Sequence, residues 1–64
     1  MNLTPAERQV VTLLGHGLTT KEIAHKLGKS QATVRNQIHN ARARTGARSS
    51  IELVVIAAKS ADMP

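Results

Sequence analysis

The 64-residue chain contains no cysteine, tryptophan, tyrosine or phenylalanine. Without cysteine it has neither a disulfide scaffold nor a thiolate zinc site, the staples with which many small domains replace a large core. Without aromatics, the core must be built from 15 Leu, Ile and Val residues, filled out by nine alanines. The same absence argues against modules that stack single-stranded bases on aromatic rings. No apolar run approaches the ~20 residues that cross a bilayer, and no signal-peptide pattern opens the chain. A reducing, cytoplasmic location is therefore expected. The length allows one domain, 1–64, which buries only roughly 60% of the surface its unfolded chain exposes. Marginal stability follows, unless a second subunit contributes.

The formal net charge is +5, and it is unevenly spread. Residues 21–48 hold seven of the nine basic residues (Lys21, Lys26, Lys29, Arg35, Arg42, Arg44 and Arg48) and one acid, Glu22. That segment is +6 and the remainder is −1. A basic middle between near-neutral ends is either a solvated surface or the footprint of a polyanion. With no aromatics for base stacking, duplex DNA is the polyanion that fits best.

Start and stop signals recur along the chain and predict an all-α fold of four helices, at about 5–16, 20–27, 31–45 and 50–60. Thr4-Pro5-Ala6-Glu7, Thr19-Thr20-Lys21-Glu22 and Ser49-Ser50-Ile51-Glu52 read as capping boxes, and Ser30 as the N-cap of the third helix. Gly17, Gly28 and Gly46 mark the exits. The expected core residues are Val10, Val11, Leu13 and Leu14 of the first helix, then Leu18, then Ile23, Ala24 and Leu27 of the second.

In the third helix, Val34, Ile38, Ala41 and Thr45 share one stripe at about 100° per residue. The opposite face carries Ala32, Asn36, His39 and Ala43, flanked by Arg35 and Asn40, and the helix contains no acid. A helix meant only to be solvated more often carries Glu–Lys pairs at four-residue spacing. Arginine matches guanine and asparagine matches adenine in the major groove. Two helices joined by Gly28-Lys29-Ser30, the second basic and acid-free, read as a helix-turn-helix.

The run Leu3-Thr4-Pro5-Ala6-Glu7-Arg8, then Gly17 through Ala24, then Leu27 through Ile38, then Gly46 through Ser49, resembles the LuxR-type DNA-binding domain, also found at the C-terminus of many response regulators. The resemblance covers residues 3 to about 60. It implies four helices, the middle two forming the helix-turn-helix, and two-fold DNA sites bound by dimers that often pair through the fourth helix. Carried over position by position, it places Arg35, Asn36 and His39 at bases, and Lys21, Thr33 and Arg48 at phosphates. His39 is a departure, because relatives often have Lys or Arg there and a histidine brings less positive charge at neutral pH. Many relatives also carry a receiver or ligand-binding domain ahead of this one. Here Met1 stands two residues before the motif, as expected of either a stand-alone regulator or an excised domain.

The fourth helix is apolar nearly all round, from Ile51 through Ala58. Part of that surface stays exposed unless another chain covers it, so a homodimer through Val54, Val55 and Ala58 is expected, against the simpler reading of a well-buried helix. RNA polymerase or a full-length regulator are further candidate partners; membranes are not. No cofactor is expected. His16, His25 and His39 lack metal-ligand spacing, and Ser30 and Ser49 suit caps better than nucleophiles, so neither metal binding nor catalysis is expected. The expected function is sequence-specific regulation of transcription. Two alternatives stay open: an antagonist that traps a full-length relative in a heterodimer, and a promoter-binding module like sigma-factor region four.

Overall fold

A computed structural model of the chain describes residues 3–59. Four helices follow one another: α1 (Pro5–Gly15), α2 (Thr20–Leu27), α3 (Gln31–Thr45) and α4 (Ser50–Lys59), with no strand among the described residues. The expected last residue of the fourth helix, Ser60, lies outside the described residues.

Local chemistry accounts for the boundaries. Thr4 Oγ1 accepts the Glu7 N–H at 3.1 Å while Glu7 Oε1 accepts the Thr4 N–H at 3.0 Å. Thr19 and Glu22 repeat this reciprocal pairing at 3.2 and 2.8 Å. Each exchange satisfies two amides that the first helical turn leaves without partners. The third expected box differs. Ser49 Oγ accepts the Glu52 N–H at 3.0 Å, but the Glu52 carboxylate reaches one residue further back, to the Arg48 N–H at 2.9 Å. At the other ends, Gly28 and Gly46 close α2 and α3 with φ of 66° and 77°, a left-handed geometry that costs glycine nothing.

The core draws on every helix: Val10 and Val11 from α1, Ile23 and Ala24 from α2, Val34, Ile38 and Ala41 from α3, Leu53 and Ala57 from α4, plus Leu3 and Ala47. α1 and α3 each pack on all three other helices, whereas α2 and α4 do not touch. Ala41 and Ala57 are completely buried, and their small side chains let the helices approach closely in a core without rings. Leu13, Leu14, Leu18 and Leu27 pack against this core but are only half-buried. They stand at or beyond the ends of α1 and α2, at the margin of the packed core.

Glu7 does more than cap. It is 4% exposed, and its carboxylate meets Arg44 from the last turn of α3, with Nε 3.1 Å from Oε1 and 3.2 Å from Oε2. This ion pair ties the start of α1 to the end of α3. Gln keeps the acceptor that Thr4 needs but loses the charge opposite Arg44. A double-mutant cycle of Glu7→Gln with Arg44→Gln should give a coupling of about 0.5–1.5 kcal/mol in urea unfolding, discounted for the half-exposed guanidinium. Additive effects would show the pair to be energetically idle.

Glu22 supplies a pH test. The Thr19 backbone N–H, and then the Thr19 side chain, hold its carboxyl below the ordinary value of 4.5. The fold therefore favours the ionised form. Its contribution is complete above the unfolded value and is lost as pH falls through the lower folded value. Glu22→Gln should flatten the loss of stability as pH falls through and below the ordinary carboxylate value, followed by circular dichroism. Parallel acid curves for the two proteins would contradict this.

Candidate nucleic-acid interface

The inward stripe of α3 is buried at Val34, Ile38 and Ala41 and half-buried at Thr45. That burial turns Ala32, Asn36, His39 and Ala43 outward, and all four are exposed, as are Arg35 and Asn40. Arg35, Asn36 and His39 fall within about 100° of the helix circumference, so they share one outward-facing sector. Small alanines beside them leave the surface flat enough for close approach.

The N-terminal ends of the helices differ in charge. α1, α2 and α4 carry Glu7, Glu22 and Glu52 in their first turns, and α3 carries no acid there. Its cap is neutral instead: Ser30 Oγ accepts the Thr33 N–H at 3.1 Å and its hydroxyl donates to Thr33 Oγ1 at 2.9 Å. The partial positive charge of this terminus is thus left uncompensated from within the helix, which suits an anion such as phosphate. Thr33 is exposed in that turn, with its own hydroxyl hydrogen still available to donate. Lys21 is exposed in the first turn of α2, and Arg48 is exposed in the turn between α3 and α4.

The seven basic residues of the central segment, alike in sequence, divide in space. Arg44 is committed to Glu7. Arg42 donates to two backbone carbonyls, with Nη2 2.6 Å from the Arg48 oxygen and Nε 3.5 Å from that of Ala47. Lys29 reaches across the helix-turn-helix to Gln37 Oε1 at 3.5 Å. Lys21, Lys26, Arg35 and Arg48 are left as exposed cations. The charge pattern of the sequence does not reveal this division: the partner of Arg44 comes from a separate helix, and Arg42 bonds carbonyls of the turn that follows its own.

On α4, Leu53 and Ala57 are buried, Val54 is half-buried, and Val55 and Ala58 are exposed. Ile51, absent from the expected contact set, is 79% exposed, and Val55 is 45% exposed. Ile51, Val54 and Val55 line a shallow groove of about 240 Å³ with Leu14, Gly15, Gly17 and Ser50. Among the described residues no helix is long and apolar enough to cross a membrane.

Comparison with known proteins agrees with this architecture. The family described as sigma-70, region 4 matches residues 1–45, ending where α3 ends. The spore germination protein GerE of Bacillus subtilis is 47% identical over 53 residues, 83% of this chain and 72% of that protein. Proteins named as HTH-type transcriptional regulators in Mycobacterium bovis and Mycobacterium tuberculosis are 41% identical over 58 residues, 91% of this chain. The chain spans 7% of the length of those mycobacterial relatives. A match over 58 of 64 residues takes in the Gly46–Ser49 turn whichever end it omits. Matching sigma-70 region 4 through three helices and the LuxR type across the turn into the fourth, the chain belongs to the family of helix-turn-helix DNA-binding transcription regulators.

Proposed function

We propose that this domain reads two-fold sites in duplex DNA as a homodimer, with α3 in the major groove. The observation that carries the reading is the outward face of α3: exposed, free of acid, opening on a neutral cap, and holding Arg35, Asn36 and His39 in one sector. In this reading Arg35 bonds guanine and Asn36 bonds adenine, each able to make two hydrogen bonds to its base. His39 completes the base-facing set. Lys21, Thr33 and Arg48 hold phosphates and so set the register of α3 in the groove.

The exposed stripe of α4 supports the dimer. Ile51 stands four residues from Val55 and seven from Ala58, the spacing of one helical face, and Val54 borders it. Pairing two such stripes removes apolar surface from water and adds concentration-dependent stability to a small core. A two-fold dimer sets its recognition helices about one DNA turn apart, roughly 34 Å.

Arg35→Ala should cost about 1–3 kcal/mol on the preferred site and relax the preference at one base pair. Lys21→Ala should weaken binding to preferred and scrambled duplexes alike, and reduce the salt slope by about one. Both are read by titrating labelled duplexes across a salt series. Equal losses on the two duplexes for Arg35→Ala would remove it from the base-reading set.

Val55→Asp should convert the dimer to monomer in sedimentation, leave the helical circular dichroism signal in place and retain weak binding to a single half-site. An unchanged sedimentation coefficient would remove α4 from the interface. A protein that sediments as a dimer but ignores DNA would favour the heterodimer antagonist instead.

A further inference from the structure

The turn between α3 and α4, Gly46 to Ser49, is held more completely than an exposed turn requires. Its Gly46 N–H bonds the Arg42 carbonyl at 2.8 Å, and the Ala47 N–H bonds Thr45 Oγ1 at 3.3 Å. The Arg48 peptide groups are gripped from both sides. Arg42, on α3, donates from Nη2 to the Arg48 carbonyl at 2.6 Å, and Glu52, on α4, accepts the Arg48 N–H at 2.9 Å. Water could satisfy both groups at an exposed position, but water would not restrict their direction. A short bond from a planar guanidinium and another to a carboxylate restrict it strongly. Ala47, buried beside them, anchors the turn in the core.

We propose that Arg42 and Glu52 are positioning residues that together fix α4 relative to α3, and with it the exposed side chain of Arg48. The inference rests on the reading of α3 as the base-reading helix and α4 as the dimer helix. In the dimer, the angle between those two helices sets the distance and rotation between the two recognition helices. A small hinge at residue 48 is magnified at the half-sites, because both copies move. Arg42 therefore governs which spacing of half-sites the dimer accepts, while Arg35, Asn36 and His39 govern which bases it accepts. Glu52 serves the same end from the other helix, although as an acid it repels DNA.

That opposition of charges makes the proposal testable. Arg42→Lys keeps the positive charge and loses the planar fork, and Glu52→Ala removes a negative charge together with the grip on Arg48. Binding is measured to duplexes carrying two copies of the selected half-site at a series of separations, with the wild-type protein alongside. Folding of each variant is checked by circular dichroism, and Glu52→Gln, which keeps an acceptor, serves as the conservative partner. The expected result is unchanged base preference within each half-site, with the discrimination between best and shifted separations reduced roughly tenfold in both Arg42→Lys and Glu52→Ala, the scale of one charge-assisted hydrogen bond. Glu52→Gln should restore most of it. If Arg42 were simply a phosphate cation, Arg42→Lys would behave as wild type. If Glu52 were simply a surface acid, Glu52→Ala would bind every separation more tightly with discrimination intact. Either outcome overturns the proposal while leaving the dimer reading in place. A wild-type protein indifferent to separation would instead overturn the dimer reading, and this inference with it.

Discussion

The burial of one narrow stripe of α3 organises this domain. Val34, Ile38 and Ala41 are the buried side chains of that helix, and α1, α2 and α4 all pack against the helix that carries them. With no aromatic ring to span a gap, the core depends on small aliphatic groups in close contact, which leaves α3 little freedom to roll about its axis. The outward face is therefore a consequence of the inward one. Rolling α3 by a single residue's angle would withdraw Val34 from the core and turn Asn36 away from its present direction.

Charge is distributed around that stripe with the same economy. Along the flanks of α3, Arg44 closes against Glu7 and Arg42 against the carbonyls of the following turn. Both use a cation to hold one element against another. The outward sector keeps Arg35 with polar and small neighbours, and no acid stands in the first turn. One helix thus carries three kinds of surface, one for packing, one for joining its neighbours and one left exposed. The division follows from which neighbour each residue meets, since the side chains are chemically alike.

The helices and their boundaries were legible because they are local. A hydroxyl and a carboxylate three residues apart, or a glycine at a left-handed exit, act over a single turn, and the expected limits of α1 to α3 agree with the structure to within about one residue. The helix-turn-helix and the exposure of Arg35, Asn36 and His39 followed from the period of Val34, Ile38 and Ala41. What escaped reading was non-local. Glu7 was recognisable as a capping residue, but its bond to Arg44 joins positions 37 residues apart in the chain. The spacing of Glu52 suits a cap on its own helix, but its carboxylate holds the Arg48 N–H instead. The exposure of Ile51 is hidden in the sequence because α4 is apolar on nearly every side, so periodicity does not separate the stripe facing α1 and α3 from the one left in solvent.

In the proposed function, the outward face of α3 reads sequence in duplex DNA and two copies read it together. Selection from a random duplex library at about 150 mM salt tests this most directly, because nonspecific phosphate binding is already weakened there. The expected result is enrichment of a two-fold motif whose half-sites lie about one helical turn apart. A folded protein that enriches no sequence at all would contradict it.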